Sequence, residues 1–230
     1  MPSFSPNANA VSKAWSPLSS ARMISTSGIS GAGLKKCMPT TRSGVDTADA
    51  ISVTDSADAV IATNTSALSV TEIAAGTSNP ERIVGMHFFN PAPLMPLVEI
   101  IRAELSSDHA FETAYAFGEK LGKHPIRCYD TPGFVVNRVL IPLLNDCIRV
   151  LDEARVTAED LDTGMKHGAG WPMGPCELVD LVGIDVHVHA SDALYAKLRE
   201  PRMAPPPRLV AMRNAGLLGR KSGRGFYTYD

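Results

Sequence analysis

The chain has 230 residues, a formal net charge of -2 and an apolar fraction of 44%, values that fit one large or two small globular domains. The weak net charge argues against nucleic acid as a partner, and no apolar run is long enough to span a membrane. The four cysteines form no CxxC pair or Cys/His cluster, so we predict no metal site and a reducing compartment.

Residues 1–58 differ in composition from the rest of the chain. They are rich in Ser, Ala and Thr, contain no acidic residue before Asp46, and show no sustained helical or strand period. Three interpretations remain open: an irregular or disordered tail, a mitochondrial transit peptide over residues 1–45, or sequence from a shifted reading frame. The weak amphipathic period favours the tail or the frame artefact. We therefore expect a cytoplasmic location, with the mitochondrial matrix as the alternative.

Residues 59–130 alternate between short strand patterns and helix patterns. Four apolar runs predict strands, and Ser69 and Ser107 are placed to cap the helices between them. Gly76 should close the first of these helices. The predicted strands lie at 59–63, 83–87, 97–101 and 126–129. This alternation predicts a parallel or mixed α/β sheet.

After the hinge at Asp130–Gly133 the strand patterns stop. Apolar residues at helical spacing predict a long helix over 134–151, with a kink at Pro142. Further helices are predicted at 157–168, from Pro175, at 184–198 and at 207–215. Residues 131–230 therefore form a predicted all-helical domain.

Five polar side chains are candidates for chemistry. His87 ends a strand pattern and Glu99 lies in the next one, and a histidine held by a carboxylate can exchange protons near neutral pH. Asn64 and Ser66 directly follow a strand, where open α/β sheets bind ligands, and Asn137 lies near the start of the long helix. Each also has a purely structural interpretation. The histidine could be hydrogen-bonded within the core and the glutamate could face solvent. The residues after the strand could stabilise a turn, and the asparagine could cap its helix or hydrogen-bond a neighbouring helix.

Taken together, the motifs of residues 59–230 resemble the short-chain L-3-hydroxyacyl-CoA dehydrogenases, also called 3-hydroxybutyryl-CoA dehydrogenases. The match is ordered, has no large gaps, and is far more specific than any one motif. The matching stretches are Ala62-Thr-Asn-Thr-Ser66, Gly85-Met-His-Phe-Phe-Asn-Pro91, Leu97-Val-Glu99, Leu121-Gly-Lys123, Asp130-Thr-Pro-Gly-Phe-Val-Val-Asn-Arg138, Pro172-Met-Gly-Pro175, Leu218-Gly-Arg-Lys221 and Gly225-Phe-Tyr227.

The resemblance implies a Rossmann-like NAD-binding domain followed by a helical domain of the 6-phosphogluconate dehydrogenase C-terminal type, which forms a homodimer. It implies interconversion of (S)-3-hydroxyacyl-CoA and 3-ketoacyl-CoA with NAD. His87 would be the acid/base and Glu99 would orient it. Ser66 and Asn137 would bind the reacting oxygens of the acyl-CoA substrate. The cofactor would lie near Asn64, Ser66 and Asn90.

Residues 1–58 depart from the family pattern. Members begin with a strand, a GxGxxG turn and an acidic residue for the ribose, and Gly28–Gly33 has neither the spacing nor a preceding strand. We therefore expect an incomplete NAD-binding domain over residues 59–130, ahead of the helical domain at 131–230. The alternative function is an inactive fragment that keeps the dimerisation domain but cannot bind NAD.

Overall fold

The computed structural model describes the strand Ile24–Thr26, residues 59–66 and residues 68–229. The chain divides into two compact units, Met1–Phe134 and Val135–Asp230. Strands occur in the first unit, and the described elements of the second unit are helices and short 3-10 turns. The prediction of an α/β part followed by an all-helical part is confirmed.

One mixed sheet organises the first unit. Its strands are adjacent in chain order: β1 (Ile24–Thr26), β2 (Ile61–Thr63), β3 (Ile83–Phe88), β4 (Leu97–Arg102) and β5 (His124–Tyr129). β1, β2 and β3 run parallel, whereas β4 is antiparallel to β3 and parallel to β5. The carboxyl ends of β2 and β3 therefore meet at one edge of the sheet, where open α/β sheets place ligand sites.

The two faces of this sheet pack against different helices. Alternate residues of a strand point to opposite faces, so β3 and β4 each supply apolar side chains to both sides. Val84, Met86 and Ile100 pack with helix α2 (Asp108–Lys120) in one cluster. The opposite face packs with the short helix α1 (Val70–Ala75) in a second cluster. Burial on both faces explains why these strands are apolar almost throughout.

Side-chain caps fix the starts of three helices. The hydroxyl oxygens of Ser69, Ser107 and Thr157 each accept a hydrogen bond from the backbone N–H of the third residue of the helix that follows. The sequence predicted the caps at Ser69 and Ser107, and it predicted a helix that starts at residue 157. Gly76 ends α1, also as predicted.

The second unit contains five helices in its described part. They are α3 (Val136–Glu153), α4 (Ala158–Gly168), α5 (Pro175–Val182), α6 (Ile184–Leu198) and α7 (Pro207–Asn214). Their apolar faces share a core that includes Leu144, Ile148, Val179, Ile184 and Leu209. Pro142 lies inside α3. The kink predicted at that proline stays a prediction.

Two buried carboxylates explain the glycines of the C-terminal motifs. Asp180 accepts hydrogen bonds from the backbone N–H groups of Phe226 and Tyr227, at 3.0 Å each. A Cβ at Gly225 would lie 2.0 Å from Asp180 Oδ1. Similarly, Asp162 accepts from the N–H of Cys176 at 2.8 Å, and a Cβ at Gly174 would lie 2.2 Å from its carboxyl carbon. Glycine at both positions lets the chain approach the carboxylates.

Residues 1–58 gave no strand pattern, yet Ile24–Thr26 form β1 and pair with β2. Ile24 is the single strongly apolar residue of β1, whereas the equally short β2 lies in the apolar run Ala59-Val-Ile-Ala62 that predicted it. The other residues of 1–58 lie outside the described part, so the interpretations of that segment stay predictions. In the described part, no helix is long and apolar enough to cross a membrane.

Candidate active site

His87 and Glu99 form a buried pair across neighbouring strands. The antiparallel register of β3 and β4 places them directly opposite each other, which puts both side chains on the same face of the sheet. His87 Nδ1 lies 2.7 Å from Glu99 Oε2. Their side chains are 7% and 0% exposed, respectively. A hydrogen bond of this length, shielded from water, fixes the imidazole strongly.

This pairing decides which ring nitrogen can meet a substrate. A carboxylate only accepts hydrogen bonds, so Nδ1 of His87 donates to Glu99. The neutral ring then carries its lone pair on Nε2, and none of the described residues hydrogen-bonds that atom. The arrangement gives His87 one nitrogen held by Glu99 and one nitrogen able to take a proton.

Two phenylalanines enclose the imidazole. The ring of Phe89 meets it edge-on, with centroids 4.7 Å apart, and the ring of Phe134 lies tilted against it at 5.5 Å. Phe134 is itself buried in the apolar cluster beside α1. Sequence reasoning did not single out either ring, although both lie inside motifs that carry the resemblance. Their contact with His87 depends on the fold.

Asn64 joins the ends of the two parallel strands. Its Oδ1 accepts a hydrogen bond of 2.9 Å from the backbone N–H of Phe88. Because this oxygen is engaged, the side-chain NH₂ group is the part that can donate to a ligand. A polar side chain thus stands at the carboxyl ends of β2 and β3, with its oxygen turned to Phe88 and an NH₂ group that can donate.

Ser66 follows β2 on an exposed segment at the same edge of the sheet. The register pairs Thr63 with Gly85, so Thr65 and His87 both lie two residues beyond this pair. Thr65 Oγ1 accepts from the backbone N–H of Leu68 at 2.9 Å, which bends the segment into a turn. The role predicted for Ser66 stays a prediction.

The loop between His87 and Glu99 is held by Lys123. Its ammonium group donates to the carbonyl oxygens of Ala92 and Met95, at 2.6 and 2.7 Å. Asn90, the third predicted cofactor residue, is exposed at the start of this loop, and its peptide bond to Pro91 is cis. Sequence reasoning quoted Lys123 within a motif but did not assign it this role.

Two titratable side chains of β5 and its end have altered pKa values. Burial opposes ionisation of Asp130, but hydrogen bonds from Ser69 Oγ (2.6 Å) and Thr71 N–H (2.7 Å) outweigh it and lower its pKa. Burial, with the nearby charges of Glu99 and Asp130, raises the pKa of Cys128 to about 12. Asp130 is therefore a charged anchor for the start of α1, and Cys128 remains a protonated thiol.

Asn137 belongs to the second unit. It is the second residue of α3 and is half-buried. The structure brings His87, Glu99 and Asn64 to neighbouring strand ends in the first unit, whereas the predicted part of Asn137 in the site stays a prediction. No cluster of three metal-ligating side chains occurs in the described residues.

Comparison with family models matches both parts of the chain. Residues 46–131 match the NAD-binding domain of 3-hydroxyacyl-CoA dehydrogenase, and residues 133–229 match the C-terminal domain of the same enzyme. The first match begins at residue 46, ahead of residue 59, where the predicted strand and helix patterns begin. The two matches are consecutive and together cover most of the chain.

Individual relatives agree with these matches. The chain is 45% identical to the 3-hydroxybutyryl-CoA dehydrogenase of Mycobacterium tuberculosis, over 75% of this chain and 60% of that protein. It is 45% identical to human mitochondrial hydroxyacyl-coenzyme A dehydrogenase, over 74% of this chain and 54% of that protein. The crystal structure of (S)-3-hydroxybutyryl-CoA dehydrogenase PaaH1 from Ralstonia eutropha superposes with a TM-score of 0.72 at 44% identity, covering 74% of this chain and 60% of the other. The chain thus spans between half and two thirds of the length of these relatives.

Proposed function

The chain belongs to the 3-hydroxyacyl-CoA dehydrogenase family, and on this premise we propose that it interconverts (S)-3-hydroxyacyl-CoA, such as 3-hydroxybutyryl-CoA, and 3-ketoacyl-CoA with NAD. The observation that carries the proposal is the buried His87–Glu99 pair, with Nδ1 and Oε2 2.7 Å apart at a strand end. A pair of this kind is an acid/base device, and oxidation of an alcohol requires one.

His87 accepts and returns the proton of the substrate's 3-hydroxyl group. In the oxidation, Nε2 takes the proton of the substrate's 3-hydroxyl group as the C3–H bond breaks and the C3–O bond becomes a carbonyl. Glu99 stabilises the resulting imidazolium through its hydrogen bond to Nδ1, and it holds the ring in one tautomer. In the reduction, the imidazolium returns the proton to the forming alkoxide. Ser66 and Asn137 are proposed to hydrogen-bond the reacting oxygens of the substrate.

The donor set of the described residues fits the nicotinamide end of NAD. Asn64 offers an NH₂ donor at the strand ends, because its Oδ1 is already bonded to Phe88, and a carboxamide oxygen is a suitable acceptor for it. We propose Asn64, Ser66 and Asn90 as the residues that hold this part of the cofactor. When bound, NAD supplies the acceptor of the hydride that leaves C3.

We further propose that the helical domain forms a homodimer and that the protein is cytoplasmic, with the mitochondrial matrix as the alternative. Exposed Leu181, Val182 and Val186, which are 45–49% accessible around the junction of α5 and α6, support an apolar contact surface there. The transit-peptide interpretation concerns residues 1–45, which lie almost wholly outside the described part.

The test is oxidation of NADH with acetoacetyl-CoA by the purified full chain, followed by absorbance. His87→Ala removes the acid/base, and His109→Ala is the matched control because His109 is an exposed histidine of α2 in the same unit. We expect turnover that falls by about 100-fold or more in His87→Ala and is unchanged in His109→Ala.

A folded sample, checked by circular dichroism, that binds no NADH and shows no turnover would contradict the proposal and support the inactive-fragment alternative. Turnover that persists in His87→Ala would leave the dehydrogenase activity standing but remove His87 from the acid/base role.

A further inference from the structure

Phe134 has an uncommon backbone conformation for a bulky residue. Its φ is 49°, in the left-handed region, and it follows Gly133, whose φ is 79°. Side chains larger than glycine or asparagine rarely adopt this region, because the Cβ crowds the backbone. A non-glycine residue held there is overdetermined by its surroundings, and such residues cluster at functional sites.

The surroundings of Phe134 account for its position. It is 5% exposed and packs with Ile61, Val70 and Ile101 on the face of the sheet that carries His87 and Glu99. Its N–H donates to the carbonyl of Thr131 at 2.9 Å, which closes the turn at this point of the chain. The turn thus places the Phe134 ring against the imidazole of His87, with the ring centroids 5.5 Å apart.

The Phe134 contact is one of three that restrain the imidazole of His87. Phe89 touches the ring edge-on at 4.7 Å, and Glu99 holds Nδ1. A wall formed by Phe134 opposes rotation about the side-chain bonds of His87 and keeps water away from the Nδ1–Oε2 hydrogen bond. Exclusion of water matters because a solvated imidazole could bond to water instead of Glu99.

We propose that Phe134 is a positioning residue, which holds His87 in the orientation that joins Nδ1 to Glu99 and presents Nε2 to the substrate. The role rests on the proposed function of His87. Phe134 acts through the imidazole and does not take part in proton transfer.

The test measures the His87 imidazole directly, in the full chain without cofactor, by ¹⁵N nuclear magnetic resonance. The readout is the rate at which the Nδ1 proton exchanges with water, assigned by its loss in His87→Gln. Phe134→Leu keeps an apolar side chain but removes the ring, and Phe134→Tyr restores a ring. Phe111→Leu is the matched control, because Phe111 is also 5% exposed but lies in the cluster on the other face of the sheet.

We expect exchange to be at least about tenfold faster in Phe134→Leu, with Phe134→Tyr closer to the unaltered protein and Phe111→Leu unaffected. In turnover assays, Phe134→Leu should lower kcat while KM changes little. Because the exchange measurement needs no turnover, a negative result counts against Phe134 even where catalysis is absent, and lost catalysis alone counts only against the proposed function.

Unchanged exchange in Phe134→Leu, or an equal increase in Phe111→Leu, would overturn the proposal. Should Phe134→Leu fail to fold, Phe134→Met takes its place under the same criteria. A second measurement needs no variant: nuclear Overhauser effects must connect the Phe134 ring protons with the carbon-bound protons of the His87 ring. Their absence would also overturn it.

Discussion

Gly85 lies directly opposite Ile101 in the antiparallel pairing of β3 with β4. A Cβ at position 85 would stand 2.7 Å from the Cβ of Ile101 and 2.8 Å from its Cδ1. Contacts this short do not occur, so only glycine allows the two strands to lie at this separation. The same pair of strands carries His87 and Glu99 two residues further along, and the spacing set at Gly85 is therefore part of the site.

Replacement of Gly85 by alanine tests this relationship. The added methyl group forces Ile101 or the strand to move, and we expect the free energy of unfolding to fall by about 1–3 kcal/mol. A lower kcat should accompany the loss, since a shift of β3 against β4 lengthens the His87–Glu99 hydrogen bond. Urea denaturation and the NADH assay measure the two effects.

Gly164→Ala is the matched control for that substitution. Gly164 lies inside α4, and a Cβ there would have no neighbour within 4 Å. This variant should be as stable as the unaltered protein, or up to about 1 kcal/mol more stable, because alanine favours a helix interior. Equal behaviour of the two variants would contradict the steric explanation.

Glu99→Gln tests the orienting carboxylate with little change of shape. The amide cannot stabilise the imidazolium as a carboxylate does, and its NH₂ group can turn towards Nδ1 and select the wrong tautomer. We expect kcat to fall by about 100-fold or more at unchanged KM. Glu119→Gln, an exposed change on α2, should leave both constants unaltered. An active Glu99→Gln variant would show that Glu99 serves only the stability of the sheet.

A buried histidine of the second unit predicts how stability depends on pH. His187 Nε2 lies 2.8 Å from Oδ1 of Asn145, whose NH₂ group donates to the carbonyls of Arg202 and Met203. Burial lowers the pKa of His187 to about 4, so the ring is neutral in the folded protein at neutral pH. Since Oδ1 of Asn145 accepts, Nε2 of His187 is the donor.

The sign of the pH effect follows from the lowered pKa. Below about pH 6.5 the unfolded chain takes up a proton at this histidine that the folded protein does not, so stability falls as pH drops from about 6.5 to about 4, and this contribution stops growing below that. The total is roughly 3 kcal/mol. His187→Gln keeps a donor and should flatten this part of the curve of unfolding free energy against pH. An unchanged slope in the variant would assign it to other groups.

The proposed homodimer predicts that a charge on the exposed apolar surface at α5 and α6 will separate the subunits. Val186 is 49% exposed there, and a buried unpaired carboxylate is strongly unfavourable in an interface. Val186→Glu should shift the mass measured by light scattering from dimer to monomer. Leu105→Glu is a comparable change at a 48% exposed residue of the first unit, and it should not alter the mass. A dimer that survives Val186→Glu places the interface elsewhere.

Local patterns in the sequence were sufficient for the order and type of most elements. Short apolar runs marked β2 to β5, and residues such as Ser107 and Thr157 marked helix starts, because both signals arise from neighbours along the chain. The strand β1 was missed because Ile24 is its single strongly apolar residue and no apolar run marks it. His87 and Glu99 were singled out as candidates, but as separate residues each also had an ordinary structural interpretation.

The tertiary structure alone decided what those residues face. The register of β3 against β4 sets His87 opposite Glu99, and the left-handed turn at Phe134 brings an aromatic ring to the imidazole. Likewise, a hydrogen bond from Phe88, 24 residues along the chain, orients the side-chain amide of Asn64. Strand register and side-chain contacts between distant residues depend on how the two faces of the sheet are buried. No local sequence pattern specifies strand register or distant contacts. The sequence therefore identified the candidate residues, and the fold determined the distances between them.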